Sequence, residues 1–292
     1  MLDASRATAL TTFDQVEVAD LLQRICVRPP YFALEGLRWQ AGEFMATAVA
    51  DRSPTAEAGP MQASEISRHA AICGLSAVAL GFDDDDRRYY LAQDATYTGH
   101  VNGAPYGSVV TFAAVVVERN KRQAVAAITA TAGGQALAHL QVTYTILSEA
   151  SFTRLFRAKY VPADGGGTPG VMPEPPMGEI VMRGHTASMT LECVPRDVCA
   201  GHFEHFPAMP VAILMGQLGM VAATQFPGPY RVAAAVMSAR DFCWAGERAC
   251  FEVTPQGDGV FACAATASAS VVSEMTLSLV SAGVPQEQAS EA

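Results

Sequence analysis

The chain has 292 residues; half are hydrophobic and 16% are charged, against about 25% charged in an average soluble protein. The 24 Gly and 17 Pro are near ordinary usage, which excludes wholesale disorder, and the length allows two domains with a buried core. Nineteen basic residues against twenty-nine acidic ones, a net charge of −10, exclude a general nucleic-acid binder, because phosphate binding depends on clustered Lys and Arg.

The opening MLDASRATALTTFDQ carries Asp3 and Asp14 around a short apolar run. It does not read as a secretory signal. Nor does any run of about 18 uncharged apolar residues mark a membrane span. A cytoplasmic protein is expected. Seven cysteines at 26, 73, 193, 199, 243, 250 and 263, with no CxxC, fit neither a zinc site nor a disulfide framework. Most sit in apolar runs and read as buried thiols.

Residues 158–179, AKYVPADGGGTPGVMPEPPMGE, are dominated by Gly and Pro without periodicity and read as a linker. The expected division is 1–157, a linker at 158–177, and 178–292. Each half then shows one plan. A first strand is expected over Glu35–Ala50 and again over Glu179–Val194. A loop and an apolar helix follow, Ser64–Phe82 and Pro210–Phe226. Ser64 reads as an N-cap, and Pro210 suits a first helical turn. Both helices are apolar nearly all round, so both should be buried. Asp83–Asp86, before Arg87-Arg88, reads as a solvated loop.

Four alternating strands come after each helix. They are Tyr89–Tyr97, Ser108–Arg119, Ala124–Ala132 and Ala136–Leu147, then Tyr230–Ala239, Arg248–Pro255, Gly259–Ser268 and Val271–Val280. Gly133-Gly134 and Gln256–Gly259 supply matching hairpin turns. The expected fold class is α+β, with two antiparallel sheets, each wrapped around one long central helix.

Two segments carry a family resemblance. Leu21–Leu34, LLQRICVRPPYFAL, is similar to the short helix and Pro-Tyr-Pro-Phe-type entry of the β-hydroxyacyl-ACP dehydratases. Gly201–Met215, GHFEHFPAMPVAILM, resembles their loop Gly-His-Phe-Pro-Gly-x-Pro-x-Met-Pro-Gly, with Gly201, His202, Phe203, Met209 and Pro210 in register. Glu204 and His205 replace Pro-Gly, and Val211 replaces the last Gly. The chain thus resembles a tandem, or double, hotdog protein. That resemblance implies sites shared between halves, each pairing a loop His with an acid on the opposite helix, fourteen positions after that helix's own loop His. In this sequence the second helix has Gly216 at the acid position, followed by Gln217. The first half has Pro54 at the His position and Arg68 at the acid position, with His69 next. One dehydratase-like site is therefore expected, with His202 facing the first helix.

His202 is the candidate base, suited to it by a pKa near neutrality; the alternative is a relic histidine bonded within its loop. Glu65 and His69, four apart on one helical face, are the candidate proton donors. Glu65 reads equally as a helix-dipole complement, His69 as a satisfied interface histidine. Arg68 could pair with Glu65 or a ligand phosphate. Ala63 matches the family residue whose N–H meets the substrate carbonyl. Phe203 and Gln217 are further candidate substrate contacts, and Gln217 or Gln225 could position water in a thioesterase. His202-x-x-His205 lacks a third ligand, so no metal is expected, and no cofactor either.

Three functions follow. The first is dehydration of a 3-hydroxyacyl group on acyl carrier protein or CoA. The second is hydrolysis of an acyl thioester. The third is non-catalytic binding of an acyl carrier, since neither half keeps the family acid. The basic clusters Arg119–Arg122 and Arg154–Lys159 could meet an acidic carrier or simply be solvated. An intramolecular pseudo-dimer is expected, and a homo-oligomer is open.

Overall fold

The computed structural model describes residues 13–162 and 170–282. The opening segment up to residue 12 and the centre of the Gly/Pro-rich stretch, 163–169, lie outside the described residues. The first half contributes β1 (Asp14–Gln15), α1 (Val18–Arg24), β2 (Glu35–Gln40), β3 (Glu43–Ala48), α2 (Ala63–Leu80), β4 (Arg88–Gly99), β5 (Val110–Arg119), β6 (Gln123–Ala132), β7 (Gln135–Ser148) and α3 (Glu149–Leu155). The second half contributes β8 (Ile180–Arg183), β9 (Thr186–Leu191), β10 (Ala208–Met209), α4 (Val211–Ala223), β11 (Tyr230–Ala239), β12 (Cys243–Trp244), β13 (Ala249–Gly257), β14 (Val260–Ala267) and β15 (Ser270–Ser281).

The expected pair of separate sheets is corrected to one. Among the described residues, thirteen strands form a single antiparallel sheet in the order β1-β2-β3-β5-β6-β7-β4-β11-β15-β14-β13-β9-β8, and β10 pairs β12 as a separate two-stranded ladder. The halves fuse because β4 and β11 pair edge to edge, from Asp94↔Ser238 to Thr98↔Ala234. Each strand thereby satisfies backbone groups that would otherwise form an open edge. α2 packs on β3 to β7, α4 packs on β9 and β13 to β15, and the two helices touch.

Each expected long first strand is instead a hairpin. β2 and β3 turn at Ala41-Gly42, both with positive φ, and β8 and β9 turn at Gly184. Gly133 (φ 58°) and Gly134 (φ 76°) make the β6–β7 turn. Two successive positive φ values match a primed turn, which suits the strand twist.

The helices are buried as their composition requires, but their starts differ. The N-cap of α2 is Gln62, without a side-chain cap, and Ser64 lies inside the helix. Pro210 is the N-cap of α4, one position before the first turn. Its carbonyl accepts the N–H of Ile213 (2.9 Å) and of Leu214 (3.0 Å). Asp83–Asp86 are exposed, as expected of a loop. All seven cysteines are free; Cys193 is exposed and Cys250 partly so, while the other five are buried. No helix among the described residues is long and apolar enough to cross a membrane.

Candidate active site

His202 sits in the loop before β10. Gly201, at φ 80°, places it there: a Cβ at 201 would collide with the Arg28 carbonyl. The Gly201 carbonyl also accepts the Arg28 N–H (2.9 Å), so the loop is tied to the segment ending at Tyr31. The Tyr31 ring stands edge-on to the His202 imidazole, with centroids 5.1 Å apart.

The imidazole lines a cavity of about 240 Å³. Ser67, Ala71, Ile72 and Leu75 of α2 form one wall, and Met209, Val211, Ala212 and Met215 another. β4, β7 and β11 close it with largely apolar side chains. Such a space suits an aliphatic chain.

His202 Nδ1 lies 3.0 Å from the Ala208 carbonyl. A carbonyl can only accept, so Nδ1 carries the proton and Nε2 keeps a lone pair. Burial pushes the imidazole down to about 4, against the opposing pull of that hydrogen bond. The ring is therefore neutral at pH 7. Val211 and Ala212, which open α4, line the same cavity. Their first-turn N–H groups have no intrahelical acceptor.

The expected acid partners are elsewhere. Glu65, Arg68 and His69 are fully buried and do not line the cavity. Arg68 Nη2 bonds Asp51 Oδ2 at 2.6 Å and His69 Nε2 at 2.9 Å. A guanidinium only donates, so His69 Nε2 accepts and its proton sits on Nδ1. Burial, reinforced by Arg68 and Arg52, lowers the His69 pKa well below the usual value. His69 is thus a neutral acceptor locked beside Arg68. Glu65 Oε1 accepts the Asp51 N–H at 3.0 Å, and burial together with the Asp51 side chain raises its pKa. Arg68 meets Asp51 in place of Glu65 or a ligand phosphate.

The other expected contacts move too. The Ala63 N–H already donates to Glu57 Oε1 at 2.7 Å, so the uncommitted helix N-terminus at His202 belongs to α4. The signal for it was the Met209-Pro210 motif itself, which points to Val211. Phe203 is buried and stacked on His202, with centroids 4.1 Å apart, and packs against Tyr89 and Phe152 instead of lining the cavity. Gln217 is fully buried, with Nε2 on the Pro176 carbonyl at 2.9 Å, as a structural amide. Gln225 Nε2 reaches the Val253 carbonyl at 3.4 Å. The His205 ring packs on Tyr160 (5.2 Å). Among the described residues no group of three His, Cys, Asp or Glu could hold a metal.

Sequence reading missed Ser67, Tyr31 and Tyr90 as cavity residues. Tyr31 was visible only as part of the Pro-Pro-Tyr-Phe entry, and Tyr90 only as a strand residue.

No family model matches the sequence, and no curated protein matches it either. Solved structures do share its fold. The 12:0-ACP thioesterase from Umbellularia californica superposes with a TM-score of 0.56 at 8% identity, over 83% of this chain and 98% of that one. An acyl-ACP thioesterase from Bacteroides thetaiotaomicron VPI-5482 gives 0.57 at 10% identity, over 82% and 98%. These neighbours are hotdog proteins, and the double-hotdog arrangement is the fold of this chain.

Proposed function

We propose that the chain hydrolyses acyl thioesters in the His202 cavity. The observation that carries this reading is the meeting, in one apolar cavity, of a neutral imidazole with a free Nε2 and the open N-terminus of α4. His202 Nε2 takes a proton from water as the water oxygen attacks the thioester carbonyl. The N–H groups of Val211 and Ala212 stabilise the resulting oxyanion. Collapse breaks the C–S bond, and the imidazolium returns its proton to the leaving thiolate. The products are a carboxylic acid and a thiol.

Dehydration also needs a donor for the departing hydroxyl. Glu65 and His69 are committed to the Arg68 cluster, and the α2 wall offers Ser67. This favours hydrolysis, and the likeness to two acyl-ACP thioesterases over nearly their whole length supports it. A carrier-bound substrate is part of the proposal. Arg154 and Arg157 are exposed on and just after α3. Phe156 between them packs on Phe242 at the cavity, with centroids 5.0 Å apart.

The test offers the chain medium-length acyl thioesters and their 3-hydroxy forms, on CoA and on carrier protein. Free thiol should appear, and His202→Ala should slow its release at least ~10²-fold, the lower range for a general base. Because burial holds the imidazole near 4, the base form persists well below neutrality. The acid limb of kcat/KM should therefore fall near pH 4 instead of near 6.5. Loss of the 3-hydroxyl without thiol release would establish dehydration instead. Binding without turnover would establish a non-catalytic carrier-binding protein.

A further inference from the structure

A second cavity of about 240 Å³ lies between the start of α2 and the Met215–Thr224 face of α4. Met215 belongs to the walls of both cavities. The arrangement mirrors the first site: there a second-half loop faces α2, and here the first-half loop at Thr55–Glu57 faces α4. Most of the wall is apolar, including Met177, Met220, Val232 and Leu277.

One carboxyl group enters this space. The loop that carries it is pinned to β11, with Ala58 N–H on the Tyr230 carbonyl (2.7 Å) and Tyr230 N–H on the Ala56 carbonyl (3.1 Å). Glu57 Oε1 accepts the Ala63 N–H. Oε2 has no hydrogen-bond partner among the described residues, and no Lys, Arg or His lines the cavity. Glu65, Tyr97 and Tyr230 are the titratable groups that act on Glu57 from α2, β4 and β11. On the opposite side, a Cβ at Gly219 would meet nothing within 4 Å, so the helix floor is open.

We infer that this second cavity binds an uncharged aliphatic chain ending in a hydroxyl, which bonds Glu57 Oε2 while the chain lies along Gly219 and Met220. A carboxylate head would face Glu57 with no cation to pair it, a desolvated like-charge contact. Burial also raises the Glu57 carboxyl to about 7. A hydroxyl serves both of its forms, donating to the carboxylate and accepting from the acid. An ammonium serves only the charged one. This inference does not rest on the hydrolysis reading.

The test is a titration of the full chain, labelled with 13C at its methionine methyls, with 1-octanol and separately with sodium octanoate at pH 9, where Glu57 is ionised. Octanol should shift Met177 and Met220 saturably, at least tenfold more tightly than octanoate does. Met209 lines the first cavity and not the second, and reports on it separately. Gly219→Leu fills the floor and should weaken the Met177 and Met220 response at least tenfold, with an unchanged melting curve. Glu57→Gln, which keeps an acceptor, should retain octanol binding. Absence of a saturable shift at Met177 and Met220 overturns the inference, as does equal affinity for octanoate. Both readings come from the wild-type chain and do not depend on a variant folding.

Discussion

Arg68 decides the local chemistry of the first helix. Its fully buried guanidinium binds Asp51 Oδ2 and His69 Nε2 at once. Its neighbours Asp51, Arg52 and Glu65 each keep a buried atom without a partner in the protein. A burial this polar depends on the opposite charges being present together. Arg68→Met removes the cation that pairs with Asp51 and leaves Arg52 as the cation beside Asp51 and Glu65. Breaking a buried pair in this way should destabilise the fold by about 3–5 kcal/mol, read as a lower midpoint in urea unfolding at pH 7. Because Glu65 protonates more readily in the fold than in the open chain, its contribution is fully present below the carboxylate's ordinary pKa. It is lost as pH rises through the folded value. The penalty of Arg68→Met should therefore shrink in acid. An equal midpoint for variant and wild type would show that Arg68 is not the cluster's counter-charge.

At the scale of elements, the α2–sheet contact rests on a close approach at Gly74. A Cβ there would overlap the Tyr144 hydroxyl, with Ala126 Cβ and Ile128 Cδ1 each at 3.2 Å. That hydroxyl donates to the Ala71 carbonyl at 2.8 Å, so β7 holds the helix through a side chain lying across its backbone. Gly74→Ala should cost about 1–3 kcal/mol by overpacking. Adding Tyr144→Phe removes the overlapping oxygen and should recover part of the loss. A double-mutant cycle in denaturant measures the coupling, and strictly additive effects would rule out the clash. The apolar composition of Ser64–Phe82 made the helix's burial legible. The partner that presses on Gly74 was not, because β7 lies some seventy residues away and its register on β6 is set by the Gly133-Gly134 turn.

For the whole molecule, the β4–β11 ladder and the contact of α2 with α4 hold the halves as one body. Ser238 Oγ adds a hydrogen bond to Asp94 Oδ1 across the seam (2.8 Å). A chain lacking residues 178–292 would leave β4 as an unpaired edge and expose the α2 surface that α4 covers. Large apolar patches and open edges drive association. The truncated chain should appear in the insoluble fraction or as a dimer on size-exclusion chromatography. A soluble monomer with a cooperative melt would show that the first half stands alone.

The sequence by itself marked eight of the strands by hydrophobic alternation, a local record of which face meets the core, and both buried helices by their nearly continuous apolar composition. The loop residues Gly201–Phe203 and Met209-Pro210 likewise located His202 and the start of α4. Only the tertiary structure decided which groups share a space with His202. Helical spacing placed Glu65 and His69 on one face of α2 but could not show that Asp51 and Arg68 would engage them there. It also could not show that Glu57 would take the Ala63 N–H, or that β4 and β11 would join two expected sheets into one. These outcomes depend on pairings distant in sequence. Buried charges and open strand edges take whatever complementary group the fold brings within reach, and no local pattern names that group in advance.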